Sequence, residues 1–250
     1  MTFEENYDLT GQVAIVTGAA SGIGHAIATV LAERGATLAL VDRSDSVAET
    51  ARTLGPDHIA FKMDVTDEAA IERMVGEVAQ RLGKIDILIN NAGIGRTAPA
   101  ESLSSKDWHE QLAINLTGPF LLTRAVGARM KARGYGRIVS MASQAALVGL
   151  DGHVGYAATK AGLLGMTRVW ALEWGGHGIT ANAISPTVIE TPMAKSHWVG
   201  EIGAAFKAKI PVGRFGQPEE VAYGVLHLVS KAAGIINGEN MVIDGGYTAI

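Results

Sequence analysis

An α/β fold, with one doubly wound parallel sheet covered by helices on both faces, is the architecture that this 250-residue sequence predicts. Three observations predict it. Short runs rich in β-branched residues recur through the chain, and each is followed by a stretch whose apolar residues repeat at helical spacing. The runs are continuously apolar rather than alternating, which is the pattern of strands buried on both faces. A glycine-rich turn, Thr17-Gly18-Ala19-Ala20-Ser21-Gly22-Ile23-Gly24, joins the first run directly to the first helical stretch. With no Pro/Ser linker, low-complexity tract or repeat, residues 1–250 are expected to form a single Rossmann-like domain.

Each element has its own signal. Val13–Thr17 reads as a buried strand and Gly22–Arg34 as the helix after it. Thr37–Val41 is a second strand, before a helix from Asp45 to Leu54. His58–Met63 is a third strand, and the next helix carries Asp67 and Glu68 in its first turn, where acids suit the helix dipole. Ile85–Ile89 is a fourth strand. One long helix is expected from Trp108 to Arg133, followed by a strand at Arg137–Met141. The helix holding Tyr156 runs to Trp174, and Ile179–Ile184 is the strand after it. Residues 187–214 are irregular with a helical piece, the character of a lid. Pro218 opens the last helix with Glu219 and Glu220 in its first turn, and Met241–Asp244 closes the series.

Composition narrows the function. Hydrophobic residues at 48% and charged residues at 18% belong to a folded globule with a large core. A net charge of -4 gives no support for nucleic-acid binding. The absence of cysteine excludes disulfides, thiolate metal sites and a cysteine nucleophile. The 7 histidines show no close pairing at ligand spacing, so no metal site is expected. No apolar run approaches the roughly 18 residues a spanning helix needs, and Met1–Asp8 is acidic, unlike a signal peptide. A cytoplasmic protein without membrane contact is therefore expected.

The glycine turn suits a dinucleotide. Gly18, Gly22 and Gly24 let the backbone turn sharply and approach a pyrophosphate, whose charge the helix N-terminus at Ser21–Ile23 can hold. Such a turn can also be a plain βα corner. Asp42 ends the second strand, eighteen residues beyond Gly24. A carboxylate there accepts from the adenosine ribose and repels a 2′-phosphate, so NAD is expected over NADP. Arg43 beside it pulls the other way, because a guanidinium favours phosphate. Asp64-Val65 and Asn90-Asn91-Ala92-Gly93 end the third and fourth strands, where open α/β sheets bind ligands; as turn residues they have an ordinary explanation too.

Tyr156 and Lys160 are four residues apart, on one face of a helix. A lysine ammonium there stabilises tyrosinate and is expected to draw the phenol down from about 10 toward neutrality, which makes a general acid/base. With 5 tyrosines in the chain, the spacing alone arises easily by chance. The combination with the glycine turn and with Ser143, thirteen positions upstream, is far more specific.

In these residues the chain resembles the short-chain dehydrogenase/reductase family. The matching positions are Thr17-Gly18 to Gly22-Ile23-Gly24, Asp64-Val65, Asn90-Asn91-Ala92-Gly93, Asn115, Ser143, Tyr156 with Lys160, Pro186, and Thr191-Pro192. They occur in the family's order over most of the chain. The resemblance implies a catalytic set of Asn115, Ser143, Tyr156 and Lys160, in which Asn115 links Lys160 to solvent. It also implies a homo-oligomer, often a tetramer, and a nicotinamide carboxamide held by Ile189 through its backbone and Thr191 through its hydroxyl. One departure stands out. The family has glycine after the proline, whereas Thr187 follows Pro186 here, which narrows the pocket or offers it a hydroxyl.

Pocket residues are expected from Gln144–Leu150, Asp151–Val154 and the lid, with Ala145, His153, Thr187 and Trp198 as candidates for substrate contact. His153 is equally explained as a capping residue and Trp198 as packing. Segments 210–221 and 236–248 are similar to those of family members acting on sugar alcohols and small diols. The leading expectation is an NAD-dependent polyol dehydrogenase. The alternatives are a 3-oxoacyl-[acyl-carrier-protein] reductase using NADPH, with Arg129 and Arg133 facing the carrier, and a dinucleotide-sensing protein without catalysis.

Overall fold

The computed structural model describes residues 2–195 and 198–249. A single sheet of seven parallel strands runs through it in the order β3-β2-β1-β4-β5-β6-β7. The strands are β1 (Val13–Thr17), β2 (Thr37–Asp42), β3 (Ile59–Lys62), β4 (Ile87–Asn90), β5 (Gly136–Met141), β6 (Ile179–Pro186) and β7 (Asn240–Ile243). The strand order reverses between β1 and β4. In doubly wound sheets a ligand crevice opens there, at the carboxyl ends of the strands.

Alternate residues of one strand feed two separate cores, because successive side chains point to opposite faces. Ala14, Val16, Leu38, Leu40, Ile87 and Ile89 pack under α2 (Gly22–Glu33) and α10 (Pro218–Val229). Val13, Ile15, Ala39, Val41 and Leu88 pack under α4 (Glu68–Leu82), α6 (Gly118–Arg133) and α7 (Val154–Trp174). This two-sided burial is why the strands read as unbroken apolar runs.

Three features differ from expectation. Phe3–Tyr7 forms a short helix, α1, closed by a Thr2/Glu5 capping box and docked through the Tyr7 hydroxyl on His227 Nδ1 at 2.9 Å. The helix expected over Trp108–Arg133 is divided: α5 (Ser105–Leu112) passes into a π turn at Ala113–Thr117 before α6. The apolar spacing is the same on either side of such a turn, so hydrophobic periodicity does not register it. The lid contains two helices, α8 (Pro192–Lys195) and α9 (Gly200–Lys207), where one was expected; its residues 196 and 197 lie outside the described residues. The remaining helix is α3 (Ser46–Leu54).

The lid rests on an aromatic cluster. Trp198 lies 4.4 Å from Phe206 between ring centroids, and Tyr247, from the turn after β7, stacks on Phe206 at 5.1 Å. Where the lid leaves the sheet, Ile189 bridges to Gly216. The C-terminal segment and the lid are thus one packed unit.

Candidate active site

A cavity of about 590 Å³ lies along the carboxyl ends of the strands. One end is the glycine turn. Gly18 and Gly22 both have positive φ (66° and 56°), which L side chains rarely adopt. Gly24 does not line the cavity: a Cβ there would fall 2.0 Å from the Gly18 carbonyl oxygen, so it is the residue that allows helix α2 to close on the turn. Ser21 stands at the N-cap of α2, yet its side chain makes no capping hydrogen bond, and together with Ile23 it faces the cavity.

Thr17 ties this turn to the next strand. Its hydroxyl donates to the Ile89 carbonyl at 3.1 Å and accepts from the N–H groups of Asn91 and Ala92, both at 3.0 Å. The Asn91 amide donates to the Thr17 and Gly18 carbonyls at 2.9 and 3.3 Å. Asn91 therefore lines the cavity while its side chain holds the glycine turn. Asn90, expected to face the crevice as well, is turned away: its amide donates to Thr123 Oγ1 at 3.0 Å within the core, because neighbours on a strand point to opposite faces. Ala92 and Gly93 line the cavity.

Asp42 is held rigidly at the end of β2. One carboxylate oxygen accepts from the Ala20 N–H at 3.0 Å and the other from the Ser44 N–H at 2.9 Å. Each oxygen keeps further acceptor capacity, and the group lines the cavity beside the exposed Arg43. Asp64 lines it too, with Oδ1 accepting from the Thr66 N–H and hydroxyl at 2.8 Å each. Val65 is a buried wall residue against Gly118.

The opposite wall carries the titratable groups. Ser143 follows β5 and caps a short 3-10 turn, Gln144–Ala146, its Oγ accepting from the Ala145 N–H at 3.2 Å. Ala145 is buried behind the serine and does not line the cavity. Tyr156 and Lys160 both enter from α7, with Lys160 Nζ 5.5 Å from the tyrosine ring centroid. Lys160 is 4% exposed and donates to the Met141 carbonyl at 2.6 Å.

Burial pulls the Lys160 ammonium down to about 8. Burial also pushes the Tyr156 phenol up, and the hydrogen-bonding contact from Ser143 offsets part of that rise. This corrects the expectation of a phenol lowered toward neutrality. Desolvation disfavours the charged form of both groups, and at Tyr156 it outweighs the hydrogen bond from Ser143.

Asn115 is fully buried in the π turn, behind the residues that line the cavity. Its Oδ1 accepts from the Ile94 N–H and its Nδ2 donates to the Ile94 carbonyl, both at 2.8 Å, with a further bond to Thr159 Oγ1 at 3.3 Å. A π turn inserts one extra residue, and that turns this amide toward the loop after β4. Asn115 thus fixes the loop whose Ile94, Gly95 and Thr97 line the cavity, residues that the strand-end argument reached only as far as Gly93.

The roof comes from β6 and the lid. Pro186, Thr187, Ile189 and Thr191 all line the cavity. Thr191 Oγ1 accepts from the Ala194 N–H at 3.2 Å and caps the entry to α8. His153 stands at the N-cap of α7 and lines the cavity, Nδ1 lying 2.6 Å from the Asp151 carbonyl and the ring edge-on to Tyr156 at 6.1 Å. It therefore occupies the capping position and the pocket at once. Trp198 likewise lines the cavity while packing on Phe206. Among the described residues no group of three or more His, Asp or Glu could hold a metal ion, and no helix is long and apolar enough to cross a membrane.

A glycine turn with a fixed carboxylate at one end and a Ser/Tyr/Lys wall at the other defines a dinucleotide-binding oxidoreductase. The family described as Enoyl-(Acyl carrier protein) reductase matches residues 18–248, and the chain belongs to the short-chain dehydrogenase/reductase family. It is 50% identical to a D-threitol dehydrogenase of Mycolicibacterium smegmatis, covering 99% of this chain and 97% of that protein. It is 47% identical to an NAD-dependent glycerol dehydrogenase of Listeria innocua over 98% and 97% of the two. Identity is 40% to a 3-oxoacyl-[acyl-carrier-protein] reductase of Thermotoga maritima, over 95% and 98%. The crystal structure of a gluconate 5-dehydrogenase from Burkholderia cenocepacia, in complex with NADP and tartrate, superposes with a TM-score of 0.96 at 33% identity, covering all of both chains.

Proposed function

We propose that this enzyme is an NAD-dependent dehydrogenase that interconverts a secondary alcohol and a ketone on a small polyol. The observation that carries the reading is the convergence of Ser143, Tyr156 and Lys160 on one wall of a cavity whose far end is the glycine turn and Asp42. Similarity to threitol and glycerol dehydrogenases supports a polyol.

The residues fit a dinucleotide. The backbone at Gly18, Ser21, Gly22 and Ile23 would hold the pyrophosphate, Asp42 the adenosine ribose, and Asp64 and Val65 the adenine end. Asn91, Ala92 and Gly93 would shape the floor under the nicotinamide ribose, and Pro186, Ile189 and Thr191 its carboxamide side. When bound, the nicotinamide supplies the hydride acceptor or donor. In alcohol oxidation Tyr156, as tyrosinate, takes the hydroxyl proton, and Ser143 hydrogen-bonds the same substrate oxygen as it becomes a carbonyl. Lys160, held by the Met141 carbonyl, keeps a positive charge beside the phenolate. In reduction Tyr156 donates the proton. Asn115 acts by holding the loop after β4. Ala145 supports Ser143, and His153, Thr187 and Trp198 bound the substrate.

A carboxylate fixed by two backbone donors leaves no room to turn away from a 2′-phosphate, which favours NAD. Asp42→Ala is expected to lower the NAD-over-NADP ratio of kcat/KM at least tenfold. A wild-type enzyme that already prefers NADP would show Arg43 to outweigh Asp42. For assembly we propose a homotetramer. Its contacts would cover Phe120, Val169 and Leu172 (84% exposed) on α6 and α7, and Tyr223 and Val242 on α10 and β7; sedimentation equilibrium at the mass of four chains is expected.

The carrier-reductase reading is weaker. Arg133, one of the two arginines it needs, is paired with the buried Asp86 at 3.7 Å, and Asp42 opposes NADPH. A silent sensor has no use for a complete Ser/Tyr/Lys wall. Initial rates of NAD and NADP reduction on polyols and diols at alkaline pH, beside reduction of an acetoacetyl thioester with NADH and NADPH, decide the matter. Polyol turnover with NAD is expected. Thioester reduction with NADPH and silence on polyols would establish the carrier reading instead.

A further inference from the structure

The roof of the cavity is braced by two charged residues that lie outside it. Arg214 and Glu220 do not line the cavity, and their side chains are 53% and 39% exposed. Arg214 Nη1 donates to Glu220 Oε2 at 2.8 Å and Nη2 donates to Oε1 at 2.7 Å, a bidentate pairing. Glu220 Oε2 also accepts from the Gln217 N–H at 2.8 Å, and Arg214 Nη1 also donates to the Phe215 carbonyl at 3.1 Å. The pair therefore fixes the turn 214–217. Glu220 is itself anchored, because it stands in the first turn of α10, whose Val221, Ala222 and Val225 are fully buried in the core.

The braced turn meets the roof through its backbone. The Gly216 N–H donates to the Val188 carbonyl at 3.0 Å, and the Gly216 carbonyl accepts from the Glu190 N–H at 2.8 Å. A Cβ on Gly216 would fall 2.5 Å from Ile189 Cδ1 and 3.8 Å from Glu220 Oε2, so the Ile189 side chain packs onto the turn beside the carboxylate. Val188 and Ile189 both line the cavity.

We infer that Arg214 and Glu220 are a positioning pair, which holds residues 188–190 where their backbone receives the nicotinamide end of the cofactor. The inference rests on the dinucleotide reading of the roof, in which Ile189 and Thr191 meet the carboxamide, and extends it to two residues that touch neither cofactor nor substrate. Residues 188–190 lie between β6 and α8, outside the sheet, and their backbone hydrogen bonds run to Gly216. Whatever fixes Gly216 thus fixes them. An exposed ion pair adds little to global stability, so its geometry is felt mainly by the turn it braces. The Arg214 guanidinium, then the Gln217 N–H, hold the Glu220 carboxyl down to about 2, and the pair stays charged through the neutral and alkaline range.

The test compares NADH with ADP-ribose, which keeps the pyrophosphate and adenosine and lacks the nicotinamide. Wild type, Arg214→Met, Glu220→Gln and the double variant are titrated with each by calorimetry. Each single variant is expected to bind NADH about fivefold more weakly, the loss that one misplaced hydrogen bond brings. Its affinity for ADP-ribose is expected to stay near the wild-type value. The double variant is expected to be no weaker than either single one, since each substitution breaks the same pair. Glu220→Gln keeps an acceptor for the Gln217 N–H, and the variants are expected to melt within a few degrees of wild type. Equal losses on both ligands, no loss on either, or a double loss equal to the product of the single ones would overturn the inference. A wild type that binds ADP-ribose as tightly as NADH would instead overturn the carboxamide reading of the roof, and the inference with it.

Discussion

Tyr156→Phe is expected to lower kcat by a factor of about a thousand or more, within the range that general acid/base groups contribute, and to leave NADH affinity within about threefold of wild type. The substitution removes only the phenol hydroxyl. The ring keeps its edge contact with His153 at 6.1 Å and its place beside Lys160, so the wall stays packed. Nicotinamide absorbance gives the rate, and NADH fluorescence titration gives the affinity. Turnover comparable to wild type would remove Tyr156 from the mechanism. The pH profile adds a second test. Burial raises the phenol, so the base form needed for oxidation grows as pH rises and the acid form needed for reduction falls. Oxidation should therefore climb into the alkaline range, bending where Lys160 begins to lose its charge at about 8.

Lys160→Met should also silence the enzyme, yet its effect on stability runs the other way with pH. The lysine titrates at 10.5 when solvated and at about 8 in the fold, so the folded state disfavours its charge. At about 1.4 kcal/mol per unit, this burden is about 3 kcal/mol. The sign follows from proton counts. Between pH 8 and 10.5 the unfolded chain still binds the proton and the folded chain does not, so wild-type stability rises with pH across that window. Below pH 8 the burden is present in full. Methionine removes it, offset in part by the Met141 carbonyl losing its donor. The variant is thus expected to be the more stable protein by about 1 kcal/mol at pH 7. That advantage should move by about 3 kcal/mol toward the wild type between pH 8 and 10.5. Denaturant melts at pH 7, 9 and 10.5 provide the check, and a stability difference that did not change with pH would show that Lys160 binds its proton equally in the folded and unfolded chain, so that burial does not lower it.

Much of the site is legible as spacing. Gly18, Gly22 and Gly24 report a turn that only glycine can make, and Asp42 reports a strand end. The four-residue step from Tyr156 to Lys160 reports a shared helix face. Each is a local rule, and the structure brings Gly18, Gly22, Asp42, Tyr156 and Lys160 to one cavity, with Gly24 behind it where helix α2 closes on the turn. Where the reading went astray, the missing information was not local. Asn90 and Asn91 are neighbours with the same side chain, but one faces Thr123 in the core and the other holds the glycine turn.

The sequence by itself determined the alternation of strand and helix, the side of the sheet on which a dinucleotide would lie, and the residues able to handle a proton. These depend on periodicity, backbone sterics and functional-group chemistry, all of which are written within a few residues of each position. Tertiary structure decided the rest. It divided one apparent helix at Ala113–Thr117 and turned Asn115 onto Ile94. It reversed the expected direction of the Tyr156 phenol. Desolvation and hydrogen-bond satisfaction are sums over everything packed around a group, and those neighbours arrive from distant parts of the chain only when it folds.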